Sequence, residues 1–283
     1  MEGQIRDLVG ASDYIGGWMD ERGGTVQPLA YTQGLALAAK KAGAIIHGDS
    51  PAIAMRRVGA AWRVSTPAGE VTAPKLLLAI NAMGGDLLPA LNRMVMPVWS
   101  YQIATAPLSS AERAGVLPTQ VAASDTRRVL RYFRLDREHR LVVGGKGKSH
   151  APRSPADFDF QRATLHRLYP ALAGVPIDFR WGGQVAVTPD RLPRAVSLGP
   201  QAFANLGCNG KGIAWCTAMG QAFAESFATG STGCLPIPVT PVRPIPLHQL
   251  RRLYVGAGSA WLRFRDRLDH SSNVTNSSQG AST

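Results

Sequence analysis

Apolar and polar positions change rhythm several times along the chain, and each change marks an element. From 28 to 42 the apolar residues, Leu29, Leu35 and Ala38 among them, predict a helix. Pro28 suits a first helical turn and Gly43 a stop. The run Ala44-Ile45-Ile46 predicts a short strand. Residues 61–66 and 70–73, separated by Pro67-Ala68-Gly69, predict a hairpin. Lys75 to Ile80 is apolar without alternation, the pattern of a strand covered on both faces, and it stops at Asn81-Ala82-Met83-Gly84-Gly85.

The middle of the chain reads as antiparallel. Met94 to Thr105 is a long strand candidate, and residues 129–135 turn at 136–139 to return as 140–143. Residues 154–169 predict a helix with Asp157, Asp159 and Arg162 outward and Phe160, Leu165 and Leu168 inward. Another extended segment spans 179–187, before a loop marked by Pro189 and Pro193. Ala202 to Leu206 then predicts a strand that feeds Gly207-Cys208-Asn209-Gly210-Lys211-Gly212, with a long helix from Ile213 to Phe227. Residues 1–24 read as irregular and glycine-rich. The chain turns proline-rich after Gly230, and the polar string beyond Asp266 predicts disorder.

Composition adds limits rather than a function. Of 283 residues, 45% are hydrophobic and 18% charged, an ordinary globular balance. No stretch reaches the roughly 20 apolar residues of a membrane span. Residues 1–6 show no basic cluster ahead of an apolar run, so no signal peptide and a cytoplasmic location are expected. Cys208, Cys216 and Cys234 are odd in number and lack CxxC spacing, and no HxxxH pair occurs, so no metal site is expected. The net charge of +12 gathers in arginines at 127–140 and 251–267. Such a face attracts nucleic acid, an acidic membrane or an anionic cofactor, or is simply solvated arginine. No nucleic-acid-binding motif accompanies the charge, so that class is set aside.

The strand, glycine turn and helix at 202–227 carry the most chemistry. Gly207, Gly210 and Gly212 let backbone approach a ligand closely, and the helix start offers free N–H groups to an anion or an electron-rich carbonyl. A tight connection between strand and helix is the plain alternative. The spacing is GxxGxG, and no GxGxxG dinucleotide fingerprint occurs anywhere in the chain.

Several ordered segments together resemble one family. They are residues 16–31, Leu76 to Ala82, Pro97 to Thr105, Asp125 to Arg134, Arg180-Trp181-Gly182-Gly183, Thr188 to Pro193, and Gly207 to Ala214. Between about 12 and 252 the chain resembles the D-amino-acid-oxidase-type FAD-dependent oxidoreductases, in the branch similar to gamma-glutamylputrescine oxidoreductase. The resemblance implies a mixed α/β (α+β) fold, with an incomplete FAD-binding domain interleaved with an antiparallel-sheet substrate domain. It implies partial FAD-binding segments at 1–93 and 194–230, a substrate domain at 94–193, a proline-rich extension at 231–266 and a disordered tail at 267–283. It also implies an N-terminally truncated chain whose missing half would grip the ADP part of FAD.

Carried over residue by residue, Ile53 would touch the adenine side through its backbone. Asn81 and Ala82 would border the cofactor where the buried strand ends. Gly207, Asn209, Gly210, Lys211, Gly212 and Ile213 would surround the flavin's pyrimidine edge and ribityl chain. Tyr101, Arg180 and Trp181 are the candidates for the substrate pocket. Gln184-Val185-Ala186-Val187 stands where amino-acid-oxidising members place a carboxylate-binding arginine, and Cys208 replaces an aromatic. The implied reaction is oxidation of a C–N bond of an amine or amino acid by hydride transfer to flavin N5. The alternatives are a non-catalytic remnant without stable FAD and an anion-binding protein.

Overall fold

The computed structural model describes residues 2–268 apart from Ser12, Arg252, Ser259, Arg263 and Arg267. The tail from 269, expected to be disordered, lies outside the described residues. The chain divides into two compact units: residues 1–26, 99–183 and 250–283 in one, and 27–98 with 184–249 in the other.

The first unit is organised by a five-stranded sheet ordered Ala123–Ser124, Arg131–Leu135, Leu141–Lys146, Met96–Thr105, Ile177–Val187. Pairing of Arg131–Leu135 with Leu141–Lys146 is antiparallel, as the sequence predicts. Side chains alternate across a sheet, so Tyr101, Ile103, Phe133, Leu141 and Val143 fall on one face and are buried. Against them pack Phe158, Leu165, Leu168 and Leu172 from the helix Asp159–Leu168 and its short flanking turns.

The N-terminal segment departs from expectation. Glu2–Val9 is helical, not irregular. Eight residues cannot hold a helix alone; the core does it instead. Ile5, Leu8 and Val9 pack on that core, and the Tyr169 hydroxyl donates to the Val9 carbonyl at 2.6 Å. Gly10 (φ +70) then lets the backbone pass so close to Gly115 that an added Cβ would stand 2.0 Å from its carbonyl oxygen.

Two helical positions are also reversed. Asp157, expected outward, is buried: its carboxylate accepts from Lys148 Nζ at 2.7 Å and from the N–H groups of Arg153 and Ser154. Those donors hold its pKa well below the usual carboxylate range. Phe160, expected inward, is 37% exposed, with the Arg131 guanidinium over its ring.

In the second unit, Ala54–Val58, Ala61–Thr66 and Gly69–Ala73 form an antiparallel meander that contains the expected hairpin. It is tied to a four-stranded sheet by Trp62, whose indole N–H donates to the Pro200 carbonyl at 2.9 Å. That sheet is ordered Val239–Thr240, Arg194–Gly199, Ala202–Leu206, Leu76–Leu78. Leu78, Val196, Ala204 and Leu206 face one cluster, while Leu77, Ala195 and Phe203 face Met219 and Phe223 of the helix Gly212–Thr229. Both faces of the leucine strand are therefore covered, as its unbroken apolar run predicts. Its outer edge pairs with nothing among the described residues.

The helix Pro28–Lys41 forms where expected but buries none of its residues. Ala44-Ile45-Ile46 does not form a strand: the run pairs with no described strand, and Ile45 is 83% exposed.

Candidate functional site

The site begins where two parallel strands of the second unit end side by side. Phe203 pairs with Leu77 and Ala204 with Leu78, so the chain leaving Leu78 and the chain leaving Leu206 emerge together. At one exit Asn81 adopts a left-handed backbone (φ 48), and at the other Gly207 does the same (φ 70). Gly207 has no substitute there: an added Cβ would meet the Thr188 methyl at 2.6 Å. The exits are joined through Cys208, whose Sγ lies 3.6 Å from Asn81 Oδ1. Asn81 Nδ2 also donates to the Gln184 carbonyl at 3.4 Å.

Asn209 builds the turn. Its Oδ1 accepts from the Thr188 backbone N–H at 2.9 Å and from the Thr188 hydroxyl at 3.2 Å. Its own N–H donates to the Ala186 carbonyl at 3.1 Å. This fixes the turn against the 188–192 loop and leaves Gly210 (φ +88) bare, with nothing within 4 Å of an added Cβ.

The helix Gly212–Thr229 starts at this turn with Lys211 as its N-cap. Lys211 supplies no side-chain cap, and the first turn holds no acidic residue. Trp215 N–H is the first to close on a helical carbonyl, that of Lys211, so the amides of residues 212–214 have no intrahelical partner. With the helix dipole they make a positive end that suits an anion or a carbonyl oxygen.

A cavity of about 240 Å³ lies in the first unit and one of about 130 Å³ in the second. The smaller one is lined at the site by Leu77, Ala79, Asn81, Gly207, Cys208 and Cys216, among others. Asn81, Gly207 and Cys208 are thus brought together. Gly212 sits beside them, since its added Cβ would be 3.6 Å from Cys208 Sγ. Gly210 and Ile213 stay at the open end, Ile213 being 39% exposed, and Ala82 packs under the leucine strand. Ile53 is 60% exposed, and its N–H pairs with the Ser65 carbonyl at 2.9 Å.

Cys216 and Trp215 are wall residues that the sequence reading missed. The available signal was helical spacing: Cys216 is one turn beyond Gly212, on the same helix face. Burial and the neighbouring Cys208 push the Cys216 thiol up, so it carries its proton at neutral pH. Trp215 is held by its indole N–H on Asn205 Oδ1 at 3.3 Å.

The three substrate candidates belong to the first unit. Tyr101 is fully buried, its ring 5.1 Å from that of Phe158 and its hydroxyl donating to the His150 carbonyl, so it lines neither cavity. Arg180 does line the larger one, with Ile103, Phe158, Arg162 and Ile177. One Arg180 nitrogen donates to the Ile177 carbonyl at 3.0 Å. Trp181 is 40% exposed.

Known proteins resemble the chain in sequence and in fold. The chain is 30% identical over 267 residues to gamma-glutamylputrescine oxidoreductase of Escherichia coli (strain K12), covering 93% of this chain and 62% of that protein. It is 31% identical over 261 residues to the probable oxidoreductase OrdL of Rhizobium meliloti (strain 1021), covering 92% and 57%. The chain therefore spans only about three-fifths of the length of these relatives.

Solved structures share the fold. L-proline dehydrogenase from P. horikoshii superposes with a TM-score of 0.64 at 17% identity, over 83% of this chain and 65% of that one. Glycine oxidase from Bacillus cereus ATCC 14579 gives 0.59 at 19%, over 71% and 55%. The family model described as FAD dependent oxidoreductase matches residues 1–226. With that match over most of its length, the chain belongs to the DAO family of FAD-dependent oxidoreductases.

Proposed function

We propose that residues 27–98 with 184–249 form the flavin-edge part of an FAD-binding domain, and that residues 99–183 form the substrate-side sheet of the same enzyme. The whole protein would oxidise a C–N bond of an amine or amino acid. One observation carries the reading: an uncapped, acid-free helix start opens beside two converging strand ends, at a glycine turn bare of side chains.

The residues fit one part of the cofactor. A cavity of 130 Å³ is below the roughly 300–1,000 Å³ of whole small-molecule sites. It suits an edge of the isoalloxazine, not the dinucleotide. Gly207, Asn209, Gly210, Lys211, Gly212 and Ile213 would hold the pyrimidine edge, with Asn81 and Ala82 bordering it and the Ile53 backbone on the adenine side. The ADP half would be gripped by an N-terminal FAD-binding half carrying the GxGxxG turn.

Bound flavin would supply the acceptor, at N5, for hydride from the carbon next to the amine nitrogen. The chain's own contribution is electrostatic and steric. Lys211 and the free amides of 212–214 favour negative charge at the ring's carbonyl edge, a stabilisation that grows as charge develops. Arg180 and Trp181 would shape the substrate side, with Tyr101 fixing the sheet beneath them.

Adding FAD to the purified chain tests the reading. A shift of the flavin's visible absorption with quenched fluorescence, bleached anaerobically by gamma-glutamylputrescine or another amine, is the expected outcome. An unchanged flavin spectrum would favour the alternative, a remnant of the family without stable FAD.

A further inference from the structure

The described residues from 251 to 268 are all helical, and their exposure separates them by face. Arg251, Val255, Leu262 and Asp266 are half-buried, at offsets of 0, 4, 11 and 15 that keep one helix face. Asp266 fastens that face to the first unit: its carboxylate accepts from the N–H groups of Arg128 and Val129 at 3.0 and 3.1 Å. The other face is apolar and in solvent. Leu250, Leu253, Tyr254, Trp261, Phe264 and Leu268 follow the 3-4 spacing of one stripe, and their exposures run from 38% to 71%. Globular surfaces scatter large apolar residues singly; a continuous row of this kind marks an interaction surface.

Charge identifies the partner. Between 248 and 268 the sequence holds five arginines and a single acid, Asp266, which is turned inward. Arg265 lies over the Trp261 ring at 5.9 Å, at the margin of the stripe. Arginines at 127–140 are drawn into ion pairs within the unit. Arg127 and Arg131 meet Asp13, and Arg140 meets Asp178. An apolar stripe with Trp, Tyr and Phe, with Arg265 at its margin and a surrounding sequence rich in arginine and short of acids, has the composition of a helix that lies in a lipid interface.

We propose that this helix docks the protein on an anionic lipid surface, with Trp261 and Phe264 entering the headgroup boundary and Arg265 meeting a lipid phosphate. It lies on the surface and spans nothing; among the described residues no helix is long and apolar enough to cross a membrane. The proposal is independent of flavin binding.

Flotation of the full chain with phosphatidylglycerol–phosphatidylcholine vesicles, against phosphatidylcholine alone, tests it. The chain should float with the anionic vesicles and at least tenfold less with the neutral ones, and raised salt should weaken the binding, since each basic residue near such a surface is worth about a fivefold change in affinity. Trp261→Ala/Phe264→Ala should lower binding at least tenfold with an unchanged melting temperature, because both residues are exposed. Arg265→Gln should lower it several-fold. Failure to float with anionic vesicles overturns the proposal. So does full binding by the double variant, which would assign the attraction to net charge alone. A chain that stays free of lipid but self-associates through Trp261 would make the stripe a protein interface instead.

Discussion

The two units bury their sheets differently. In the first, the helix Asp159–Leu168 and the N-terminal helix close over one sheet face, and Tyr101, Phe133, Leu141, Val143 and Leu165 are at or below 1% exposure. In the second, the four-stranded sheet is covered on both faces, yet the leucine strand has one unpaired edge among the described residues, and Leu29, Leu35 and Leu37 of the helix Pro28–Lys41 are each about half exposed or more. The first sheet's buried face is closed by described helices. The second unit buries both faces of its sheet but leaves the edge of the leucine strand and the helix Pro28–Lys41 open. The part of the proposed cofactor site at the glycine turn should therefore be preformed, while the surfaces around it remain open.

That contrast can be broken most directly by deletion of side chains. Phe133→Ala in the closed core should cost about 3–5 kcal/mol, whereas Leu37→Ala on the open helix should stay within about 0.5 kcal/mol; urea unfolding measures both. Equal costs would mean that Leu37 is covered in solution. Gly10→Ala should cost about 1–3 kcal/mol, because a left-handed backbone and the approach to Gly115 act together. A neutral result would detach the N-terminal helix from the first core.

A smaller effect should follow pH. Asp157 has a lowered folded pKa, so its contribution is present above the unfolded value of about 4 and is lost as pH falls through the folded one. Wild type should melt above Asp157→Asn at neutral pH, and the gap should close in acid. A gap that persists unchanged would assign the difference to packing rather than to the Lys148 and backbone donors.

Much of this was legible in the sequence wherever local pattern and tertiary role coincide. Pro28 and Gly43 bracket the first long helix, the Leu76–Leu78 run reports a strand with two covered faces, and Gly207 marks a turn that only glycine fits. Reading failed where a distant partner decides the outcome. Nothing near Asp157 announces that Lys148 and two amides converge on it, and the apolar run 44–46 does not itself say whether it will pair with a neighbouring strand. Period-2 alternation puts Tyr101 on the same face as Ile103, under Phe158, so its aromatic character signalled core packing rather than a pocket wall. Cys216 could have been found from its spacing one turn beyond Gly212, but Trp215 needed the helix's rotation against the leucine strand, which no single segment encodes.

The central claim is that the uncapped start of the helix Gly212–Thr229 favours negative charge on a bound flavin. Gly212→Asp places a carboxylate in that first turn, where an added Cβ meets no contact closer than 3.6 Å. The substitution should stabilise the protein by about 0.3–1 kcal/mol through the helix dipole. The same charge should weaken flavin binding and lower the two-electron midpoint potential by on the order of 10–20 mV. A potential measured in wild type and variant that moves in this direction, while the melting temperature rises, agrees with the account. A variant that holds flavin with unchanged potential and affinity contradicts it.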